Sequence, residues 1–169
     1  MQKEISNASS TVRLRPVEPD DEEFLFAVYA STRASEMELV PWDETQKQAF
    51  LRMQFNAQQE FYGSNFSGAT HRIITLNDEP VGRLYVSRDD ALISILDITI
   101  LPAHRNAGIG STIIKDILAE AAQTGKAVNI YVETFNPSLR LFESLGFEKI
   151  GEEDFNLLLE WKMRDKQEG

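Results

Sequence analysis

The segment Leu101-Pro-Ala-His-Arg105-Asn-Ala-Gly108-Ile-Gly110-Ser-Thr-Ile-Ile114 joins the end of a predicted strand to the start of a predicted helix. Its glycines let the backbone approach a ligand closely, and the first N–H groups of a helix have no partner within the helix. The helix dipole adds about half a positive charge at that end, and the Arg105 side chain adds a forked donor. The segment therefore predicts a binding site for an anion such as a phosphate group.

The spacing of the glycines narrows the choice of phosphate ligand. A dinucleotide fingerprint requires G-x-G-x-x-G, but Gly108 and Gly110 are followed by Ile113 where the third glycine would stand. The chain also contains no G-x-x-x-x-G-K-[ST] motif, so a P-loop is excluded. What remains is R-x-x-G-x-G over Arg105 to Gly110.

The composition limits the class of protein. The chain has 169 residues, of which 42% are hydrophobic and 26% charged, which is typical of one soluble globular domain. The net charge of -10 argues against nucleic acid or a membrane surface as partner. Because cysteine is absent and there are only two histidines, we expect no disulfide, no cysteine nucleophile and no metal site.

The ends of the chain are polar. Residues 1–10 lack the apolar stretch of a secretion signal, which predicts a cytoplasmic protein. The most apolar stretch, residues 91–101, is too short to span a bilayer. We expect flexible ends over residues 1–10 and 165–169, and a single domain over residues 11–164.

Helix signals dominate the first part of the chain, after a short strand around Val12. The segment Pro19–Glu23 contains an aspartate with a glutamate three residues later, and Asp43 is followed by Gln46 at the same spacing, so each predicts the start of a helix. For the second helix, an apolar face at i, i+3, i+7 and i+11 is predicted to pack in the core. It consists of Phe50, Met53, Ala57 and Phe61.

Strands follow from residue 71. The pattern predicts three hairpin-linked strands up to Leu101, the helix after Gly108, and a strand over Val128–Glu133 that runs parallel to the preceding one. Asn136-Pro137 predicts the start of a short helix, and two strands close the chain. The expected fold is a mixed α/β domain.

The R-x-x-G-x-G motif resembles the pyrophosphate-binding motif of the GNAT superfamily of N-acetyltransferases. The later segment, from Asn136-Pro-Ser-Leu to Phe142-Glu-Ser-Leu-Gly146-Phe147, also resembles a segment of that family, in the expected order. The resemblance implies a central, mostly antiparallel, twisted sheet with one splayed parallel strand pair, flanked by about four helices. It also implies an acetyl-CoA-dependent enzyme without a metal.

The resemblance implies a position for each part of acetyl-CoA. The pantetheine arm would lie against the backbone of Ile98 and Ile100, and Asn136 and Phe142 would face the cofactor. The pyrophosphate would be bound by the amides of Arg105, Asn106, Ala107, Gly108, Ile109, Gly110 and Ser111.

The implied reaction is direct attack of an amine on the acetyl thioester. Asp97, a charge in an apolar strand, is the candidate base, although an Asp97 that is salt-bridged or faces solvent is an equal alternative. Glu133 and Glu36 are the other acidic candidates. Phe142 stands where many family members have a tyrosine that protonates the leaving thiolate. The thiolate then leaves unassisted, or Tyr131, Tyr85 or Ser138 substitutes, or the protein is a non-catalytic acyl-CoA-binding module.

The acceptor region in the family corresponds to the segment between the first two helices. There Glu36 and Glu38 would suit a cationic acceptor, with surface solubility as the alternative, and Trp42 would form a pocket wall. The expected acceptor is a primary amine of a small molecule or a peptide. The final apolar strand, Phe155 to Met163, leaves both a monomer and a homodimer open.

Overall fold

A computed structural model describes residues 3–7 and 10–163 of the chain, which form a mixed α/β fold with one mixed sheet. The strands are β1 (Lys3–Asn7), β2 (Ser10–Pro16), β3 (Thr70–Leu76), β4 (Glu79–Arg88), β5 (Leu92–Ile100), β6 (Ala127–Glu133), β7 (Glu148–Glu153) and β8 (Asn156–Trp161). The α-helices are α1 (Glu22–Glu38), α2 (Glu44–Asn65), α3 (Ile109–Thr124) and α4 (Leu139–Ser144).

The described strands are ordered β1-β2-β3-β4-β5-β6-β8-β7. Every neighbouring pair is antiparallel except β5 and β6, which are parallel because α3 crosses between them. This arrangement confirms the expected fold class.

The two faces of the sheet carry separate cores. Side chains of α3 and α4 pack with β4, β5 and β6 in one cluster that includes Ile74, whereas α1 and α2 pack in a second cluster that includes Ile73. Because consecutive side chains of a strand point to opposite faces, Ile73 and Ile74 place α1 and α2 on one face and α3 on the other.

The starts of α1 and α2 differ from one another. At α2 the predicted capping box is present, since Asp43 Oδ1 accepts from Gln46 N at 2.8 Å and Gln46 Oε1 accepts from Asp43 N at 3.1 Å. At α1 the predicted box is absent. A 3₁₀ turn, Pro19–Asp21, comes first, and the capping box joins Glu18 to Asp21, whose carboxylate also pairs with Arg15.

The buried face of α2 is not the predicted one. Leu51 and Phe55 are buried, whereas Met53 and Phe61 are 60% and 56% exposed. The reason is that the inner face continues through polar residues, which bind the sheet as described below. The apolar pattern alone therefore placed this face on the wrong side of the helix.

The first strand differs from the flexible end that was expected. Residues 3–7 pair with β2 in antiparallel register, from Lys3 opposite Leu14 to Asn7 opposite Ser10. The remaining positions expected to be flexible, residues 1, 2, 8, 9 and 165–169, lie outside the described residues. In the part of the chain that is described, no helix is both long enough and apolar enough to cross a membrane.

Candidate functional site

The parallel strands β5 and β6 diverge halfway along their length. Their register runs from Leu92 opposite Ala127 to Ile95 opposite Ile130 and then ends. Beyond that point β5 continues to pair with β4, and β6 continues to pair with β8. The result is a wedge-shaped opening, here called the gap, between residues 96–100 of β5 and residues 131–133 of β6.

Backbone groups of Ile98 and Ile100 face the gap. Leu101 N donates to Val81 O at 2.8 Å, so this N–H points toward β4. The carbonyl of Ile100 belongs to the same trans peptide and therefore points away from β4, where it accepts from Arg105 Nε at 2.9 Å. Because alternate residues of a strand direct their backbone groups to the same side, Ile98 has the same orientation as Ile100. Among the described strands, the edge of β5 therefore has no strand partner at either residue predicted to contact the pantetheine arm, and the Ile100 carbonyl is bound by the Arg105 side chain.

The segment after β5, residues 105–111, is called the glycine turn. Asn106 and Gly108 adopt left-handed backbone conformations, with φ of 62° and 81°, and α3 begins at Ile109. Ile109 is buried at 2% exposure and anchors the turn, whereas residues 105–108 are exposed. The free N–H groups at the start of α3 lie here, which is the geometry required of an anion site.

The space above the glycine turn is open at Gly110. A Cβ atom built on Gly110 has no heavy atom within 4 Å outside its own helix and chain neighbours. Ser111 is half-buried in the first turn of α3. The seven residues predicted to bind pyrophosphate therefore form one continuous turn at the end of β5.

Asn136 and Phe142 lie on either side of the start of α4. Asn136 Oδ1 accepts from Ser138 N at 2.9 Å, and α4 begins at Leu139, two residues later than predicted, because Asn136 closes a tight turn before the helix. Phe142 is 2% exposed and packs edge-on against Phe147, with ring centroids 5.3 Å apart. The phenyl ring is thus part of the hydrophobic cluster on the α3 face of the sheet.

Asp97 is ion-paired, which is the alternative that the sequence left open. Its Oδ2 accepts from Arg83 Nε at 2.9 Å and from Arg83 Nη2 at 2.5 Å, and its Oδ1 accepts from Thr99 Oγ1 at 2.6 Å. The sequence reasoning missed Arg83. The available signal was an arginine in the middle of the apolar strand β4, one strand away from Asp97.

The inner face of α2 completes this polar cluster. Arg83 Nη1 donates to Gln59 Oε1 at 3.3 Å, and Arg83 Nη2 donates to Gln58 Oε1. One turn later, the Tyr62 hydroxyl donates to the carbonyl of Leu96 at 3.0 Å. Burial raises the pKa of Tyr62 to about 12, so its hydroxyl remains a hydrogen-bond donor at neutral pH.

His71 and Tyr85 extend the cluster to β3 and β4. The two rings stack with centroids 4.3 Å apart, and Tyr85 also packs edge-on against Tyr62 at 4.9 Å. Burial, with the nearby Arg83 charge, lowers the pKa of His71 to about 4. His71 is therefore neutral at pH 7 and serves as a packed aromatic ring.

The other wall of the gap is acidic and aromatic. The buried side chains of β6 pack in the cluster on the α3 face of the sheet; they are Val128, Ile130 and Val132. The alternate residues Tyr131 and Glu133 therefore point to the face that carries α1. Tyr131 is 59% exposed.

An ion-pair network connects this wall to α1. Glu133 lies 3.5 Å from Arg33, which also pairs with Glu36 at 3.0 Å. The structure therefore connects Glu36 to the gap through Arg33. Trp42 lies in the loop after α1, where its ring packs edge-on against Phe50 of α2 at 5.3 Å.

The chain is similar to known acetyltransferases in sequence and in fold. The model of the acetyltransferase (GNAT) family matches residues 28–147. A mycothiol acetyltransferase from Clavibacter sepedonicus is 32% identical over 77 residues, which is 45% of this chain and 24% of that protein. The chain thus spans about a quarter of the length of that relative.

Two solved structures share the fold over most of the chain. The PaiA N-acetyltransferase from Thermoplasma acidophilum in complex with coenzyme A has a TM-score of 0.68 and 14% identity, covering 90% of this chain and 99% of that one. Arabidopsis thaliana Naa50 in complex with the bisubstrate analogue CoA-Ac-MVNAL has a TM-score of 0.60 and 17% identity, with the same coverage. With the family model matching most of the residues, the chain belongs to the acetyltransferase (GNAT) family.

Proposed function

We propose that this protein is an N-acetyltransferase that moves the acetyl group of acetyl-CoA to a primary amine of a small molecule or a peptide. One observation carries the proposal: the edge of β5 at Ile98 and Ile100 has no strand partner among the described strands, and the glycine turn follows it after the short 3₁₀ turn Pro102–His104. A long ligand with an amide-containing arm and a pyrophosphate needs these two features side by side.

The gap and the glycine turn offer complementary contacts to the two parts of acetyl-CoA. Backbone groups of Ile98 and Ile100 would bind the amides of the arm, as a strand partner does. Amides at the start of α3 and the Arg105 side chain would bind the pyrophosphate, for which Arg105 must exchange its bond to the Ile100 carbonyl. Asn136 would line the same opening. The coenzyme A in the Thermoplasma structure supports this choice of ligand.

The proposed chemistry needs no covalent enzyme intermediate. The nitrogen of the neutral amine attacks the thioester carbonyl, the carbonyl oxygen becomes an oxyanion, and the C–S bond then breaks to release the CoA thiolate. A backbone N–H at the gap, such as that of Ile98, would stabilise the oxyanion. Tyr131 stands on the exposed wall of the gap and would donate the proton to the thiolate.

Removal of the proton from the amine is assigned to water rather than directly to Asp97. Both carboxylate oxygens of Asp97 already accept hydrogen bonds, from Arg83 and from Thr99. The side chain of Asp97 would instead hold the end of the gap in place.

The acceptor side of the gap favours a cationic molecule. Two carboxylates, Glu36 and Glu133, share the single guanidinium of Arg33, which leaves an excess negative charge beside the opening. Trp42 would form one wall of the acceptor site. If Glu36→Gln leaves the KM for the acceptor unchanged, this assignment is wrong.

A thermal-shift experiment tests the cofactor site. Acetyl-CoA and CoA at about 100 times Kd should stabilise the protein by about 2.7 kcal/mol, whereas NADH and ATP should have little effect. Arg105→Glu should abolish the shift. Lys149→Glu makes the same charge change on the distant strand β7, at a side chain that is 54% exposed, and should retain it. A shift with NADH alone, or a shift that Arg105→Glu preserves, would contradict the proposal.

A non-catalytic acyl-CoA-binding module is the second candidate, because the buried ring of Phe142 has no hydroxyl to offer a leaving thiolate. Release of CoA thiol with a broad panel of amines separates the two functions. An enzyme releases thiol with at least one acceptor, whereas a binding module shows the CoA thermal shift and no release with any of them.

A further inference from the structure

Halfway along β5, the set of residues whose backbone groups point toward β6 changes from odd-numbered to even-numbered. Ala127 N donates to Ala91 O at 3.1 Å, so odd-numbered residues face β6 at the start of β5. At the other end the even-numbered Ile100 directs its carbonyl to the same side, where Arg105 binds it. In a regular strand, either the odd-numbered or the even-numbered residues would face β6 along the whole length. The change therefore requires one extra residue between the two ends.

That residue is Leu96. In the register of β4 with β5, Val86 lies opposite Ile95 and Tyr85 lies opposite Asp97, which leaves Leu96 as a bulge. Without the bulge, Asp97 and Thr99 would present their backbone to the gap, and their side chains would point into the α3 core. The bulge therefore decides that Ile98 and Ile100 form the open edge.

The carbonyl of Leu96 obtains its partner from α2. The Tyr62 hydroxyl donates to it at 3.0 Å, across the face of the sheet. A partly buried carbonyl without a partner is costly, so this bond favours the bulged conformation over a regular strand. The aromatic ring of Tyr62 is fixed in turn by its edge-on contact with Tyr85, which lies opposite Asp97.

We propose that Tyr62 is a positioning residue for the cofactor arm: its hydroxyl holds the Leu96 bulge and thereby directs the backbone of Ile98 and Ile100 into the gap. This inference rests on the proposed function, because it assigns these two residues to the binding of the pantetheine arm. It also explains why the inner face of α2 carries a polar residue where the apolar pattern predicted none.

The test compares two tyrosine-to-phenylalanine variants with two ligands. Tyr62→Phe keeps the ring and removes the bond to Leu96. The matched control, Tyr29→Phe, removes a hydroxyl that donates to Gln54 at 3.3 Å in the α1–α2 contact. The ligands are CoA and adenosine 3′,5′-bisphosphate, which has the nucleotide end of CoA but no arm. Calorimetry gives Kd for each of the six combinations of wild type or variant with ligand.

We expect Tyr62→Phe to raise Kd for CoA about tenfold, the effect of losing roughly one good hydrogen bond. The Kd for the bisphosphate should stay within twofold, and Tyr29→Phe should match the wild type with both ligands. Amide hydrogen exchange at residues 96–98 should be faster in Tyr62→Phe without ligand. This local readout remains valid if the variant is less stable overall, because a global loss of stability would speed exchange throughout the sheet rather than at these residues alone.

The outcomes separate the two proposals. If the wild type binds CoA and Tyr62→Phe binds it equally well, the role of Tyr62 is overturned while the proposed function stands. If both ligands weaken in parallel, Tyr62 acts on the whole fold and the positioning role is also overturned. If the wild type binds no CoA, both the proposed function and this inference are overturned.

Discussion

Arg83 and Asp97 form an ion pair between neighbouring strands, with Nε 2.9 Å from Oδ2 and with side-chain exposures of 1% and 18%. A guanidinium that is fully buried requires a partner for its charge, and here it is shared between one carboxylate and two glutamine carbonyls of α2. The pair therefore connects α2 to the strand that forms one wall of the gap.

Asp97→Asn should destabilise the fold by about 3 kcal/mol, because it leaves a buried guanidinium without its countercharge. Urea denaturation gives the free energy of unfolding. Asp78→Asn is the matched control, because it removes the carboxylate of an exposed ion pair with Arg13, in which Asp78 is 74% exposed, and should cost less than about 1 kcal/mol. Equal losses in the two variants would show that Arg83 does not depend on the charge of Asp97.

Gly82→Ala should destabilise the protein by about 3 kcal/mol through overpacking. A Cβ on Gly82 would lie 2.2 Å from the carbonyl oxygen of Thr99 and 3.1 Å from the Cα of Ile100, so β4 and β5 would have to separate. In the control Gly151→Ala, the nearest atom, on Leu158, is at an ordinary 3.7 Å.

Thermal unfolding and CoA titration of both glycine variants check this prediction. Since Ile100 borders the gap, Gly82→Ala should also weaken the binding of CoA, whereas Gly151→Ala should not. A Gly82→Ala protein with unchanged Tm would mean that the two strands tolerate the extra methyl group without separating.

Local patterns were sufficient to predict the glycine turn and the parallel strand pair, whereas the divergence of that pair was implied only by the resemblance to the family. Arg105 to Gly110 lies between an apolar strand and an amphipathic helix, so its place at the end of β5 follows from the chain itself. The capping box at Asp43 and Gln46 could likewise be predicted from the sequence, because both of its hydrogen bonds join residues three positions apart.

Contacts between distant segments could not be predicted in this way. The partners of Arg83 lie 14 to 25 positions away, and the bond from Tyr62 to Leu96 crosses 34 positions. These contacts depend on which face of α2 meets the sheet. The apolar period of α2 indicated Met53 and Phe61, whereas the true inner face includes the polar Gln58 and Tyr62, whose partners are on β4 and β5. The sequence pattern failed where side chains of α2 serve the proposed site rather than the core.

Stability should fall as the pH drops from about 6.5 to about 4, with a contribution from His71. Its pKa is about 4 in the folded protein and 6.5 in its unperturbed state, so in this range the unfolded chain takes up a proton that the folded protein does not. The contribution is fully present above the higher value and is lost on acidification. We expect about 2 kcal/mol, because the ring is partly screened by solvent.

Urea unfolding at pH 4 and pH 7 isolates this contribution when the wild type is compared with His71→Phe, which keeps a ring against Tyr85. The variant should lose less stability than the wild type over that interval, and His104→Gln should behave as the wild type does. An identical pH dependence in the wild type and His71→Phe would remove His71 as a source of acid sensitivity.

Tyr131→Phe should lower kcat for acetyl transfer by about 10² or more, if Tyr131 protonates the leaving thiolate. The hydroxyl is exposed on the wall of the gap, and nothing in the described core depends on it, so stability and the Kd for acetyl-CoA should stay close to those of the wild type. Steady-state release of CoA thiol, measured with whichever amine the acceptor panel identifies, provides kcat.

Ser138→Ala and Tyr85→Phe remove the other two hydroxyls that could replace the tyrosine missing at Phe142. Their kcat values, measured with the same amine, show which hydroxyl donates the proton. A loss of rate in either of these variants, with Tyr131→Phe unaffected, would transfer the acid role to that residue. Full activity in all three would mean that the thiolate leaves unassisted or takes its proton from water, which is chemically reasonable because a thiolate is a much better leaving group than an amide or alkoxide.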